Sequence, residues 1–288
     1  MFVQTNTIQA VKAYFNERLS QRFSESEIKH FFFEAVVERL SISKTALLLN
    51  DPILVSESDL LFFRSIVKRL LSNEPFQHIL GFTYFYDLKL KTDQRALVPR
   101  PETEELVHWI VEDFKGHDPL KIADICSGSA CIALALKSVF KSTEITALEL
   151  SSEAIALGKE NAELVGLDLQ FVQKDVFSSL EDVATDFTVW VTNPPYIPES
   201  DRAEMHENVL SFDPEMALFV PNEDPLLFYR EIGKKAAHHL IEKGVLYAEI
   251  HERFAAETKL LFEELGFVSV EIKKDLQGKD RMIKALMP

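Results

Sequence analysis

The chain has 288 residues, 47% of them hydrophobic, and 31 Lys/Arg against 46 Asp/Glu give a formal net charge of -15. That length admits two domains with real cores, and two cysteines exclude a disulfide framework. Residues 1–80 carry nine basic and nine acidic residues, so the remaining 22 basic and 37 acidic residues hold the whole excess, a field that works against a nucleic-acid backbone as partner.

Cys126 and Cys131 lack C-x-x-C spacing and read as small reduced residues of a core. The first residues, MFVQTNTIQAVKAYF, have no uninterrupted apolar stretch, and no run of membrane length follows. The expectation is a cytoplasmic protein without membrane contact.

The first 80 residues read as a small helical bundle. Ser24 and Glu27 form a capping-box pattern, after which Ile28, Phe31, Phe32, Ala35, Val36 and Leu40 recur at helical spacing. Ser56 and Asp59 open a second such segment with Leu60, Phe63, Ile66, Val67 and Leu70 as its stripe. Shorter helical pieces fit 7–20 and 43–49. From Gly81 the period changes to two, with Phe82, Tyr84 and Tyr86 alternating against Thr83, Phe85 and Asp87, and Leu88-Lys89-Leu90 continuing. Residues 81–99 are therefore expected to be a β-hairpin linker.

Pro101 and the acidic turn behind it suit a helix start, and residues 100–288 then alternate strand and helix. Strands are expected at 120–125, 144–149, 169–173, 187–192, 244–250, 267–273 and 281–287, with helices near 130–139, 152–165, 225–242 and 252–265. Right-handed crossovers make of these an α/β fold with a doubly wound, seven-stranded, mostly parallel sheet. Only KDLQGKD separates the last two strands, which should pair antiparallel.

Ligands of such sheets bind beyond the carboxyl ends of the strands. The first end, Asp124-Ile125-Cys126-Ser127-Gly128-Ser129-Ala130, is a small-residue turn that either admits a ligand to backbone N–H groups or is simply tight. The second ends in Glu149, whose carboxylate either accepts from two ribose hydroxyls or is an ordinary surface acid. After the third come Asp175 and Val176, an acceptor for an exocyclic amine and an apolar cover for a base.

The fourth strand runs straight into Asn193-Pro194-Pro195-Tyr196. Two prolines forbid further ladder pairing and present carbonyls without competing N–H groups. The Asn193 amide oxygen and the Pro194 carbonyl together accept both hydrogens of a planar NH2, and the Tyr196 ring offers that group a face. An amide or aromatic amine nitrogen is a poor nucleophile because its lone pair is delocalised. Polarising both N–H bonds and aiming the lone pair at an electrophilic methyl is the help it needs. No general base is required, since the nitrogen becomes acidic once methylated.

In this order of strand ends the chain resembles the class I S-adenosylmethionine-dependent methyltransferases, and more narrowly the HemK/PrmC family, which methylates the N5 amide nitrogen of the glutamine in the Gly-Gly-Gln motif of peptide-chain release factors. EPFQHILG (74–81), LVPRPETEELV (97–107), FDPEMALF (212–219) and DPLLFYREI extend the resemblance over most of the chain. It implies that Cys126, Ser127, Gly128, Ser129 and Ala130 hold the methionine part of S-adenosylmethionine, Glu149 the ribose, and Asp175 with Val176 the adenine, with Asp124 also among the cofactor-binding residues. Asn193, Pro194, Pro195 and Tyr196 would hold the glutamine amide, Asn193 also bordering the cofactor, and the helical domain would recognise the release factor. The family's D-x-G-x-G-x-G is here D-I-C-S-G-S-A, with Cys126 and Ala130 at glycine positions, and Val176 stands where an aromatic is often found.

Two rivals stay open: an adenine N6 methyltransferase, since that amine fits the same trap, and a non-catalytic cofactor-binding scaffold. No metal is expected, because the adjacent His238 and His239 point apart on a helix. His206-Glu207 contacts either substrate or solvent, and Arg100 either faces the cleft or anchors the hairpin.

Overall fold

The computed structural model describes residues 3, 5–43, 45 and 53–288. They form two compact units that divide between Leu80 and Gly81.

In the first unit, helix α1 (Ile8–Leu19) is capped by Thr7, whose hydroxyl accepts from Ala10 N–H. Helices α2 (Glu25–Leu40) and α3 (Glu57–Leu71) both begin with complete capping boxes, Ser24 with Glu27 and Ser56 with Asp59. These caps satisfy N–H groups that the first turn leaves unpaired. The apolar stripes meet in a core where Phe15 packs edge-on against Phe32 (5.8 Å between ring centres) and Phe63 (6.4 Å). A short α4 (Phe76–Leu80), not anticipated from sequence, closes the unit. Of the helical piece expected at 43–49, only residues 43 and 45 are among the described residues.

The second unit opens with a hairpin of β1 (Phe82–Phe85) and β2 (Leu88–Lys91). Tyr86 and Asp87 form its turn, both with positive φ, as a tight two-residue hairpin requires. The alternation therefore stops at Phe85, and the hairpin belongs to the second unit. Buried Asn161 accepts from Lys91 N–H (2.7 Å) and donates to the carbonyls of Lys91 and Ser129.

Helix α5 (Pro101–Asp113) then leads into β3 (Lys121–Ile125), α6 (Cys131–Val139), β4 (Glu144–Glu149), α7 (Ser152–Val165), β5 (Gln170–Gln173) and β6 (Phe187–Thr192). A two-stranded parallel patch, β7 (Ile197–Pro198) with β8 (Phe219–Val220), brackets a short α8 (Glu207–Phe212). The chain finishes with α9 (Leu227–His239), β9 (Leu240–Glu249), α10 (Ala255–Glu264), β10 (Val268–Lys274) and β11 (Asp280–Leu286). The seven-stranded sheet runs β10-β11-β9-β6-β3-β4-β5. Strands β9, β6, β3, β4 and β5 are mutually parallel, and β11 lies antiparallel to both β9 and β10, as the short connection KDLQGKD demands.

Side chains alternate between two cores. Ile122, Val189 and Val191 join α5 and α6 on one face, while Ala123, Ile125 and Trp190 join α9 and α10 on the other. Helix α9 ends three residues before its expected limit, because Leu240 already pairs with Phe187. Lys243, at φ +61°, and Gly244 then absorb a bulge before Val245 pairs with Val189.

Candidate active site

Strand β3 has β4 on one side and β6 on the other, so the chain leaves their carboxyl ends in opposite directions and opens a crevice there. That crevice is a cleft of about 1100 Å³, counted to its open mouth. Its walls include Ser127, Gly128, Glu149, Asp175, Val176 and Asn193, which brings all four strand ends singled out from sequence to one place.

The loop from Cys126 to Ala130 turns by alternating left-handed residues: Cys126 at φ +59°, Gly128 at +53° and Ala130 at +61°. Each non-glycine held there costs about 1–2 kcal/mol. Ala130 is fully buried, and Gly158 of α7 is its counterpart, since a Cβ at 158 would come within 3.3 Å of the Ala130 methyl and 2.8 Å of the Phe171 ring. Ser127 and Ser129 line the cleft with buried hydroxyls that have no protein partner among the described residues. Cys126 and Cys131 are only half-buried and also border the cleft, so they sit at the edge of the core.

Glu149 staples this loop to β4. One carboxylate oxygen accepts from Gly128 N–H (2.8 Å) and the other from Leu150 N–H (2.8 Å) and Ser151 N–H (2.9 Å). Asp124 is not a cleft residue. It lies fully buried beneath the loop, accepting from Ala133 N–H (3.1 Å), and burial pushes its pKa up to about 8. Ala130 likewise packs behind the cleft wall. Asp175 caps the turn after β5 by accepting from Phe177 N–H (2.9 Å).

An aromatic face absent from the sequence reading appears beside Val176. Phe177 and Phe228 line the cleft edge to face, 4.9 Å between ring centres. The aromatic thus stands one position after Val176, with a second ring supplied by α9. Arg100 pairs with the wholly buried Asp213 carboxylate at 2.7 Å and also lines the cleft, so it holds the FDPEMALF loop to the cleft wall. His206 and Glu207 are exposed. His239 stacks on Trp190 while His238 is exposed, so the two diverge as helical neighbours must.

Asn193 donates its NH2 to Thr103 Oγ1 (3.1 Å), and Thr103 donates to Glu249 Oε2 (2.6 Å). Tyr196 donates its hydroxyl to the other oxygen, Glu249 Oε1 (2.8 Å). Burial pushes the Glu249 and Tyr196 pKa values up, the two hydroxyl donors and the Arg281 charge partly opposing this for Glu249. The Tyr196 ring meets His251 edge-on at 6.0 Å. Sequence reasoning missed Thr103 and Glu249, although Glu249 ends the strand beside β6.

Comparisons with known proteins agree with this architecture. Residues 16–81 match the PrmC N-terminal domain and residues 104–211 the methyltransferase small domain. The release factor glutamine methyltransferase of Flavobacterium psychrophilum is 36% identical over 280 residues, spanning 96% of this chain and 98% of that one. The protein of that name from Bacteroides thetaiotaomicron is 34% identical over 275 residues, with the same coverage of both chains. A methyltransferase from Pyrococcus furiosus shares the fold, with a TM-score of 0.54 at 18% identity over 76% of this chain and 96% of that one. Similarity of this strength along nearly the whole length, joined to the cleft and its strand ends, means that the chain belongs to the release factor glutamine methyltransferase family.

Proposed function

We propose that this protein transfers a methyl group from S-adenosylmethionine to N5, the side-chain amide nitrogen of the glutamine in the Gly-Gly-Gln motif of release factors. The observation that carries this reading is Asn193, whose NH2 is committed to Thr103 and whose amide oxygen is thereby left for a substrate N–H.

The cleft suits the cofactor. The partnerless hydroxyls of Ser127 and Ser129 match the polar methionine end, Glu149 keeps acceptor capacity for a ribose hydroxyl, and Phe177 with Phe228 offers the aromatic surface an adenine needs. The cofactor supplies a methyl group activated by its sulfonium. The protein's part is to hold the acceptor. Asn193 Oδ1 and the Pro194 carbonyl take the two amide hydrogens, and the Tyr196 ring supports the amide plane. Those acceptors localise the nitrogen lone pair, and the nitrogen releases its proton after transfer. Asp124 acts from beneath, shaping the loop. The neutral helical unit serves to recognise the release factor.

Mass spectrometry of a release factor incubated with the protein and S-adenosylmethionine tests this. One added methyl group on the Gly-Gly-Gln glutamine is the expected product. Methylated adenine in a nucleic-acid substrate, with the release factor unmodified, would overturn it.

A further inference from the structure

An asparagine side chain is a useful acceptor only if its oxygen faces the substrate. Turned by 180°, the same amide would set N–H groups against the N–H groups of a glutamine. What fixes the orientation here is a count of protons along a buried chain. Thr103 and Glu249 are each only 2% exposed, so water does not supply their partners. Both oxygens of Glu249 accept from hydroxyls and the Arg281 charge favours its ionised form, so the carboxylate has no proton to give; the one proton of the Thr103 hydroxyl therefore goes to Glu249 Oε2 at 2.6 Å. Its oxygen can then only accept, and the neighbour it accepts from is the Asn193 amide at 3.1 Å. Asn193 must therefore present NH2 to Thr103 and Oδ1 away from it. The second oxygen of Glu249 takes the Tyr196 proton at 2.8 Å, and its backbone carbonyl takes that of Tyr229 at 3.0 Å. One carboxylate thus orients both ends of the Asn193-Pro194-Pro195-Tyr196 segment.

We infer that Glu249 and Thr103 are positioning residues for methyl transfer, a carboxylate and a hydroxyl that lock the Asn193 amide with its oxygen toward the acceptor and pin the Tyr196 ring. The inference rests on the reading of Asn193 as the acceptor of substrate N–H. A buried pair with only a packing role would be served as well by apolar side chains, without the cost of a buried carboxylate. The β-sheet register accounts for the placement: Thr192 pairs with Ala248, so the strand ends bring Asn193 and Glu249 side by side.

The test uses full-length enzyme with intact release factor, measuring single-turnover methylation at saturating S-adenosylmethionine and, separately, the dissociation constant for S-adenosylhomocysteine. Thr103→Val keeps the shape and removes the hydroxyl, and should slow transfer about 10- to 100-fold, the scale of losing a group that orients a first contact. Thr103→Ser keeps the hydroxyl and should stay within about threefold of wild type, and both variants should bind the cofactor product within about twofold. Glu249→Gln, whose amide oxygen can take only one of the two hydroxyl protons, should slow transfer as Thr103→Val does. In an Asn193→Ala background, Thr103→Val should add less than about twofold, because nothing is left to orient. A transfer rate close to wild type in either Thr103→Val or Glu249→Gln, or a full repeat of the Thr103→Val loss in the Asn193→Ala background, would overturn the inference. If Asn193→Ala itself transferred at the wild-type rate, the reading of Asn193 as acceptor would fall with it. A slow Asn193→Ala beside a fast Thr103→Val would sink the positioning chain alone.

Discussion

Replacing Glu149 with Gln separates cofactor binding from loop stapling, because the change keeps the size of the side chain and removes one acceptor oxygen. In the wild type, Oε1 accepts from Leu150 and Ser151 N–H and Oε2 from Gly128 N–H, at 2.8 to 2.9 Å. A carboxylate offers about four lone-pair sites, which leaves one on Oε2 for a ribose hydroxyl. In the glutamine variant, the paired donors of Leu150 and Ser151 claim the remaining carbonyl oxygen. Its NH2 then faces Gly128 N–H and the cofactor with nothing to accept. One charge-assisted hydrogen bond is worth roughly 1.5–3 kcal/mol, so the dissociation constant for S-adenosylhomocysteine should rise about 10- to 150-fold. Gly128 keeps some access to water, so its opposed N–H should cost only about 1 kcal/mol and lower Tm by a few degrees. Titration calorimetry reads the first effect and scanning fluorimetry the second. A lowered Tm with a dissociation constant within twofold of wild type would refute the ribose role and leave Glu149 as a loop staple.

Asn193→Ala should cost the transition state about 2–4 kcal/mol, or roughly 30- to 1000-fold in single-turnover rate. Tyr196→Ala should be severe and Tyr196→Phe milder at about tenfold, since Phe keeps the ring but takes a donor from Glu249; a Phe variant as slow as Asn193→Ala would put the hydroxyl in the chemistry. Cys126→Gly should leave Tm and cofactor affinity near wild type, because glycine accepts φ +59° without strain, whereas Cys126→Val should lower Tm by several degrees; a tenfold affinity loss in the glycine variant would give the thiol a binding role. Asp124, its pKa raised to about 8 by burial, is favoured in its protonated form, so its contribution to stability is lost as pH rises towards 8. Asp124→Asn should therefore gain Tm relative to wild type between about pH 5 and about pH 9, and a constant difference would show that Asp124 does not titrate there. Deleting residues 1–75 should raise KM for an intact release factor far more than for a short Gly-Gly-Gln peptide, and equal effects on both would remove the helical unit from substrate recognition.

What was legible in the sequence divides by the range of the forces involved. Local signals held: both capping boxes close as written, and the seven strands fall within a few residues of expectation because buried parallel strands need uninterrupted apolar runs. The antiparallel edge followed from a connection too short to cross over. Errors came where tertiary pairing overrode a local pattern. The period of two ran on through Tyr86 and Asp87, yet both take left-handed conformations and turn the chain. Leu240 reads as helix but is drawn into the sheet by Phe187.

The candidate site shows the same division at higher resolution. Strand-end reasoning assembled Ser127, Glu149, Asp175 and Asn193 in one cleft, because the sheet places such ends together whatever the intervening loops do. It stopped one strand early. The run VLYAE ends on an acid in β9, which pairs with β6, and continuing the rule would have put Glu249 beside Asn193. Thr103 was beyond that rule, since it comes from α5, far away along the chain, and only the packed fold brings it between Asn193 and Glu249. The Asn193-Pro194-Pro195-Tyr196 segment in isolation offers the right groups without saying which way the amide faces. The direction is set by where one hydroxyl proton goes, and the buried carboxylate at the end of the neighbouring strand decides that.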